Sequence, residues 1–149
     1  MITEDNAKLH TVLVKGWVRK GDKFLIAKRS PKEIHAAGIW SIPGGKIEDE
    51  VERDIIENTL KKEILEEVGV EIGDRIEFVG SSSFQRVDAP HVVGLTFLCG
   101  YQSGEARPLE DTTDVKWLTL EELKKFKELP DFLRMDLAQL EQHIHFRSI

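Results

Sequence analysis

Glu63, Glu66 and Glu67 stand three and four residues apart, within a run where apolar Ile56, Leu60, Ile64 and Val68 recur at every fourth position. On a helix this spacing sets the three carboxylates on one face, with neighbouring β-carbons about 5–6 Å apart. At about 100° per residue, Glu67 falls roughly 20° from Leu60 and Glu63 roughly 20° from Ile56, which puts two carboxylates at the edge of the apolar stripe. Partly desolvated carboxylates held side by side must take up a proton, pair with a cation or bind a metal ion. Lys61 and Lys62 point to other parts of the wheel and do not neutralise the trio. An all-oxygen set suits a hard divalent ion such as Mg²⁺, with Mn²⁺ as the second choice, and leaves coordination positions for water and phosphate oxygens. A solvated acidic face is the alternative that spacing alone leaves open.

Upstream, Pro43-Gly44-Gly45-Lys46 reads as a turn. Two glycines expose backbone to a close ligand, and Lys46 supplies a positive charge for a phosphate.

These residues need a scaffold, and the rest of the chain supplies its outline. With 149 residues, 40% of them hydrophobic and 32% charged, the chain fits one core, and a single domain over 1–149 is expected. A net charge of −6 argues against a protein that holds a nucleic-acid polymer by phosphate neutralisation. No apolar run reaches membrane-spanning length and the first residues carry no secretion signal, so no membrane partner is expected. Cys99 has no second cysteine to pair with and sits beside Phe97 and Leu98, as a buried strand residue in a reducing cytoplasm would.

Residues 11–29 are rich in β-branched and aromatic types and break once at Lys20-Gly21-Asp22, the pattern of a hairpin. An irregular loop over 30–38 leads to the glycine turn. Asp54 with Glu57 predicts a capped helix start, and Gly69 the stop. Strands are expected over 76–87, 91–101 and 115–118, with a polar loop between the last two, followed by a helix opened by the Thr119/Glu122 capping box. Leu133, Leu137, Leu140 and Ile144 predict a last amphipathic helix. Trp17, Trp40, Phe84 and His91 are stacking candidates for a base, although strand aromatics are more often core, and His143 and His145 read as an exposed tail.

The sequence Lys62-Glu63-Ile64-Leu65-Glu66-Glu67-Val68-Gly69-Val70, preceded by Gly44-Gly45, resembles the Nudix hydrolase box. The early hairpin, Arg29, and Val115-Lys116-Trp117-Leu118 leading into Thr119-Leu120-Glu121-Glu122-Leu123 extend the resemblance over most of the chain. Two departures stand out. Lys62 occupies the position of the family's arginine, whose planar fork lysine cannot copy. Gly45 and Glu63 are separated by three more residues than the pattern has, so that Asp54 takes the place of the first family glutamate.

The resemblance implies an α/β fold, a Nudix-like α/β/α sandwich with a mixed β-sheet, and Mg²⁺- or Mn²⁺-dependent attack of water on a phosphoanhydride. It makes Glu63, Glu66 and Glu67 metal ligands with catalytic roles, and the Gly45 carbonyl a further ligand. The base lies within the box or on a later loop, where Glu110 or Asp111 is the candidate. Gly44, Gly45, Arg29 and Lys46 are expected to bind substrate, with Arg86 a further cation for its terminal oxygens. The expected partner is a small-molecule nucleotide, a nucleoside triphosphate or another nucleoside diphosphate derivative such as a diphosphate sugar, with a homodimer as an open assembly. A catalytically inactive nucleotide-binding module is the competing class.

Overall fold

A computed structural model describes residues 9–32 and 37–147. Part of the irregular loop expected over 30–38 lies outside the described residues.

The first hairpin forms as its sequence predicts. β1 (His10–Lys20) and β2 (Lys23–Arg29) join through Gly21, whose φ of 64° is the left-handed value that glycine adopts without steric cost. The two strands pair only beside the turn, at Arg19↔Phe24 and Lys20↔Lys23, and then diverge. The chain returns into the gap. β3 (Trp40–Ser41) pairs with β2, and β4 (Gly44–Lys46) pairs with β1 at Leu13↔Lys46, Val14↔Gly45 and Lys15↔Gly44. The expected glycine turn is therefore a strand: two diverging neighbours present unpaired backbone groups that a short extended segment satisfies, whatever its own β propensity.

β1 pairs in parallel with β6 (His91–Ser103), and β5 (Glu71–Phe84) pairs antiparallel with β6. β5 begins earlier than expected and ends before Val87. β7 (Thr112–Thr119) covers the other edge of β2. Among the described residues this makes one mixed seven-stranded sheet.

Strand alternation divides the core between two faces. Val14, Val18, Leu25, Ala27, Phe97 and Cys99 pack with Leu60, Ile64 and Val68 of α1 (Ile55–Val68). Trp17, Phe24, Ile26 and Leu98 pack on the opposite side with Leu123 of α2 (Leu120–Lys125) and with Leu133, Leu137 and Leu140 of α3 (Asp131–Arg147). The result is the α/β/α sandwich.

Helix ends follow the sequence in part. Gly69, at φ 72°, closes α1 by donating its N–H to the Leu65 carbonyl at 3.0 Å. Thr119 and Glu122 form the reciprocal capping box. Asp54 does precede α1, but its backbone is left-handed at φ 58° and its side chain makes no cap, so the expected Asp54/Glu57 capping box is absent. A capping side chain requires extended backbone at that residue, which a left-handed turn denies it. Among the described residues no helix is long and apolar enough to cross a membrane.

Candidate active site

α1 lies across β4, and the contact is between carboxylates and glycine backbone. A β-carbon at Gly45 would fall 2.5 Å from the Glu63 carboxyl carbon, and one at Gly44 would overlap the Val14 carbonyl oxygen and come within 2.7 Å of the Lys15 α-carbon. Both positions exclude a side chain for different reasons: Gly44 because β1 is against it, Gly45 because Glu63 is. The Gly44 N–H donates to Glu67 Oε2 at 3.3 Å.

Burial dominates the electrostatics. It pushes the Glu67 carboxyl up from 4.5 to about 8; the Gly44 hydrogen bond and Arg29 oppose the shift, while Glu63 and Asp111 add to it. Glu63 is also raised, by burial first and then by Glu66, with Lys62 opposing and Glu110 and Glu48 reinforcing. Lys61 is drawn away from the trio to Asp74, 2.6 Å distant. Lys62 is exposed.

A second segment reaches the site through backbone alone. The last turn of a helix leaves carbonyls without intrahelical partners, and here Arg107 N–H donates to the Val68 carbonyl at 3.0 Å and Leu109 N–H to the Glu67 carbonyl at 2.9 Å. This docks residues 104–111 onto the end of α1 and brings exposed Glu110 to face Glu63, and exposed Asp111 to face Glu67. The Asp111 carbonyl accepts from Ser30 N–H at 2.7 Å, tying the segment to the end of β2 next to Arg29. Lys46 is exposed beside a groove of about 110 Å³ that Glu48, Glu50, Lys62 and Glu63 also line.

The structure thus gathers Glu63, Glu66, Glu67, Gly44, Gly45, Arg29 and Glu110. Other candidates fall elsewhere. Trp17 and Trp40 are core, with the Trp40 indole donating to Glu128 at 3.0 Å. Phe84 is exposed under the Arg86 guanidinium, and His91 stacks edge-on against His10. His143 is no exposed tail: it is half-buried on α3, 3.3 Å from Glu77. Sequence reasoning missed Glu48, which faces Glu63, and Lys15, which faces Glu67. For Lys15 the signal was a lone cation inside the apolar run Val12-Leu13-Val14 and Gly16-Trp17-Val18.

Among the described residues no three acidic, histidine or cysteine side chains enclose a point at metal-ligand distances. The donor chemistry nevertheless fits a hard divalent ion. The set is all oxygen, two of its carboxylates are costly to hold as bare anions, and Glu63 lies directly against the Gly45 backbone.

Comparison with known proteins places the chain in a family. The NUDIX domain profile matches residues 9–136, and the chain belongs to the Nudix family. Among relatives, the NAD-capped RNA hydrolase NudC of Pseudomonas aeruginosa is 36% identical over 107 residues, which are 71% of this chain and 35% of that protein. The chain thus spans about a third of that relative's length. A MutT-like protein of Streptomyces ambofaciens is 30% identical over 117 residues, covering 78% of this chain and 69% of the relative. The crystal structure of a MutT NUDIX hydrolase from Burkholderia pseudomallei superimposes with a TM-score of 0.73 at 27% identity, covering 89% of this chain and 98% of that one.

Proposed function

We propose that the chain, as a single domain, is a metal-dependent pyrophosphohydrolase that cleaves a diphosphate linkage in a nucleoside triphosphate or another nucleoside diphosphate derivative. One observation carries the reading: within the Nudix box, Glu63 and Glu67 are packed against the glycine backbone of β4, where burial disfavours their ionised forms and a divalent ion would supply the missing counter-charge.

Glu63, Glu66, Glu67 and the Gly45 carbonyl would hold Mg²⁺ or Mn²⁺, which when bound supplies charge neutralisation for phosphoryl oxygens and lowers the pKa of a ligated water. The protein groups do the rest. Arg29 and Lys46 orient terminal phosphate oxygens. The Gly44 N–H fixes the rotamer of Glu67. Glu110, solvent-accessible and facing Glu63, takes the proton of the attacking water. Hydrolysis of a phosphoanhydride asks for little beyond such positioning and charge stabilisation.

The charge argument against nucleic-acid polymers concerns proteins that neutralise many phosphates. It does not reach a single linkage at an RNA end, which is what the name of the NudC relative describes. The reading includes a cytoplasmic setting, in which the single cysteine, buried Cys99, has no second cysteine to pair with.

The test is a Mg²⁺-dependent screen of nucleoside triphosphates, diphosphate sugars, dinucleoside polyphosphates and coenzyme diphosphates, with product analysis, in the natural protein and in Glu67→Gln. Release of phosphate or nucleoside monophosphate by the natural protein and its loss in Glu67→Gln is the expected result. A specific feature favours one second reading: exposed Lys62, in place of the family's arginine, makes no hydrogen bond to the trio among the described residues, as in a nucleotide-binding module without turnover. Tight binding with no product from any substrate class would select it.

A further inference from the structure

Two carbonyls from the last turn of α1 are taken by the segment 104–111, Val68 by the Arg107 N–H at 3.0 Å and Glu67 by the Leu109 N–H at 2.9 Å. Pro108, between the two donors, has no N–H of its own and biases Arg107 toward extended backbone, so the spacing of the donors is restricted before they dock. Ala106 packs against the core cluster that α1 shares with the sheet.

A contact between two glycines locates the segment on the helix end. Gly104 has φ 97°, and a β-carbon there would fall 2.4 Å from the Gly69 carbonyl oxygen and 3.3 Å from the Val70 α-carbon. The Arg107 side chain in turn lies over Gly69, its Nε 3.2 Å from where a β-carbon would stand. The Tyr101 hydroxyl of β6 donates to the Gly104 carbonyl at 2.6 Å, and the Tyr101 ring stands edge-on to Trp117 of β7. Gly104 is thus gripped by the helix end on one side and by the sheet on the other.

The far end of the segment is a tight turn. Thr112 N–H donates to the Leu109 carbonyl at 2.9 Å, which makes Glu110 and Asp111 the two middle residues, the second left-handed at φ 53°. The Thr112 hydroxyl donates to the Glu110 carbonyl at 3.1 Å. Leu109 is both the first residue of this turn and the donor to the Glu67 carbonyl. The glutamate whose side chain meets Gly44 therefore carries, through its backbone, the turn with both loop carboxylates.

We propose that Gly104 is a positioning residue for the reaction: its contact with Gly69 sets where the segment lies on α1, and Leu109 passes that placement to the turn carrying Glu110 and Asp111. A side chain at position 104 meets backbone, which cannot swing aside as a side chain does, so the segment itself must move off the helix end. The inference rests on the pyrophosphohydrolase reading for the work of the turn's carboxylate, and adds the part of the chain that aims it.

The test compares Gly104→Ala with Gly21→Ala, which puts the same methyl group on another left-handed glycine, φ 64°, where nothing lies within 4 Å of the new β-carbon. Gly104→Ala should lower kcat by about tenfold to a hundredfold, with KM changed by less than about twofold, the cost expected of misplacing a catalytic group by about 1 Å. Gly21→Ala should leave both unchanged. The deciding measurement is a double-mutant cycle on kcat, run with whichever of Glu110→Gln and Asp111→Asn costs more. With that carboxylate already removed, Gly104→Ala should cost less than about twofold further. Equal losses in both backgrounds overturn the proposal, as does full kcat in Gly104→Ala or in both carboxylate variants. If Gly104→Ala fails to fold by circular dichroism, Tyr101→Phe, which keeps the ring and removes the hydroxyl, decides through the same cycle, with an expected loss of about threefold to fivefold. A protein that hydrolyses no substrate class overturns the hydrolase reading and this inference with it, whereas turnover with additive losses overturns this inference alone.

Discussion

Glu67→Gln in the metal-free protein separates the cost of burying a carboxylate from every other pH effect. The side chain keeps its shape, and the amide oxygen can still accept from the Gly44 N–H. The native pKa of about 8 against an ordinary 4.5 means that the folded state holds a proton the unfolded chain gives up between those values. A raised carboxyl pKa favours the folded state fully below about pH 4.5, and that advantage is lost as pH rises toward 8. Relative to acid pH, the loss is about 3 kcal/mol at pH 7 and at most about 5 kcal/mol above pH 8, both ceilings because Glu67 is coupled to Glu63. For a chain of this size 3 kcal/mol corresponds to a melting shift of roughly 6–12 °C. The assay is denaturant unfolding in EDTA from about pH 5 to about pH 8.5, with Glu67→Gln subtracted from the natural protein so that groups not coupled to Glu67, such as Asp136, cancel to first order. The natural protein should lose stability relative to the variant across that window, and Mg²⁺ should restore it most at the alkaline end. Parallel pH profiles would refute the claim that Glu67 is desolvated in the native state.

Four further outcomes follow from the same geometry. Gly45→Ala should move the Glu63 carboxylate, lowering Mg²⁺-dependent kcat by about 100-fold or more while the melting temperature falls by only a few degrees, because a side chain yields more readily than a strand. Gly44→Ala should cost about 2–3 kcal/mol or prevent soluble expression, measured by denaturant unfolding, since its β-carbon meets the β1 backbone. Glu110→Gln should reduce kcat by about 100-fold with unchanged stability if Glu110 is the base, and Asp111→Asn should leave kcat within a few-fold; the reverse pattern moves the role to Asp111. Thr119→Ala should remove about 1 kcal/mol, read from urea unfolding, because the capping box is complete.

What the sequence revealed and what it hid divide along the range of the interactions. The α1 stripe, the first hairpin, the Thr119 cap and buried Cys99 depend on neighbours a few residues apart, and periodicity or residue type exposed them. β3 and β4 have no period of their own; they are strands because β1 and β2 separate beyond Lys20↔Lys23 and leave edges to be paired. Asp54 has a favoured cap residue's type but not its backbone conformation, which the preceding loop sets. The glutamate trio was legible as a helical face, whereas its desolvation by Gly44 and Gly45 and its approach by Glu110 are contacts across the fold. Lys15 was visible as a lone cation in an apolar run, whereas the charged groups around it come from elements distant in sequence.

The divergence of β1 and β2 explains why this site is made of carboxylates against backbone. A continuous β1–β2 ladder would leave no space for Gly44-Gly45, and α1 would pack on side chains there. Filling the gap with glycine strand lets the helix approach until Glu63 occupies the volume of the missing Gly45 β-carbon. Water is excluded from one side of Glu67 and Glu63, yet β4 supplies a neutral N–H in place of a charged partner. Desolvation without close charge compensation is costly for a bare protein and is relieved by a cation in the site. One structural decision, two strands parting after a two-residue turn, thus creates the carboxylate centre.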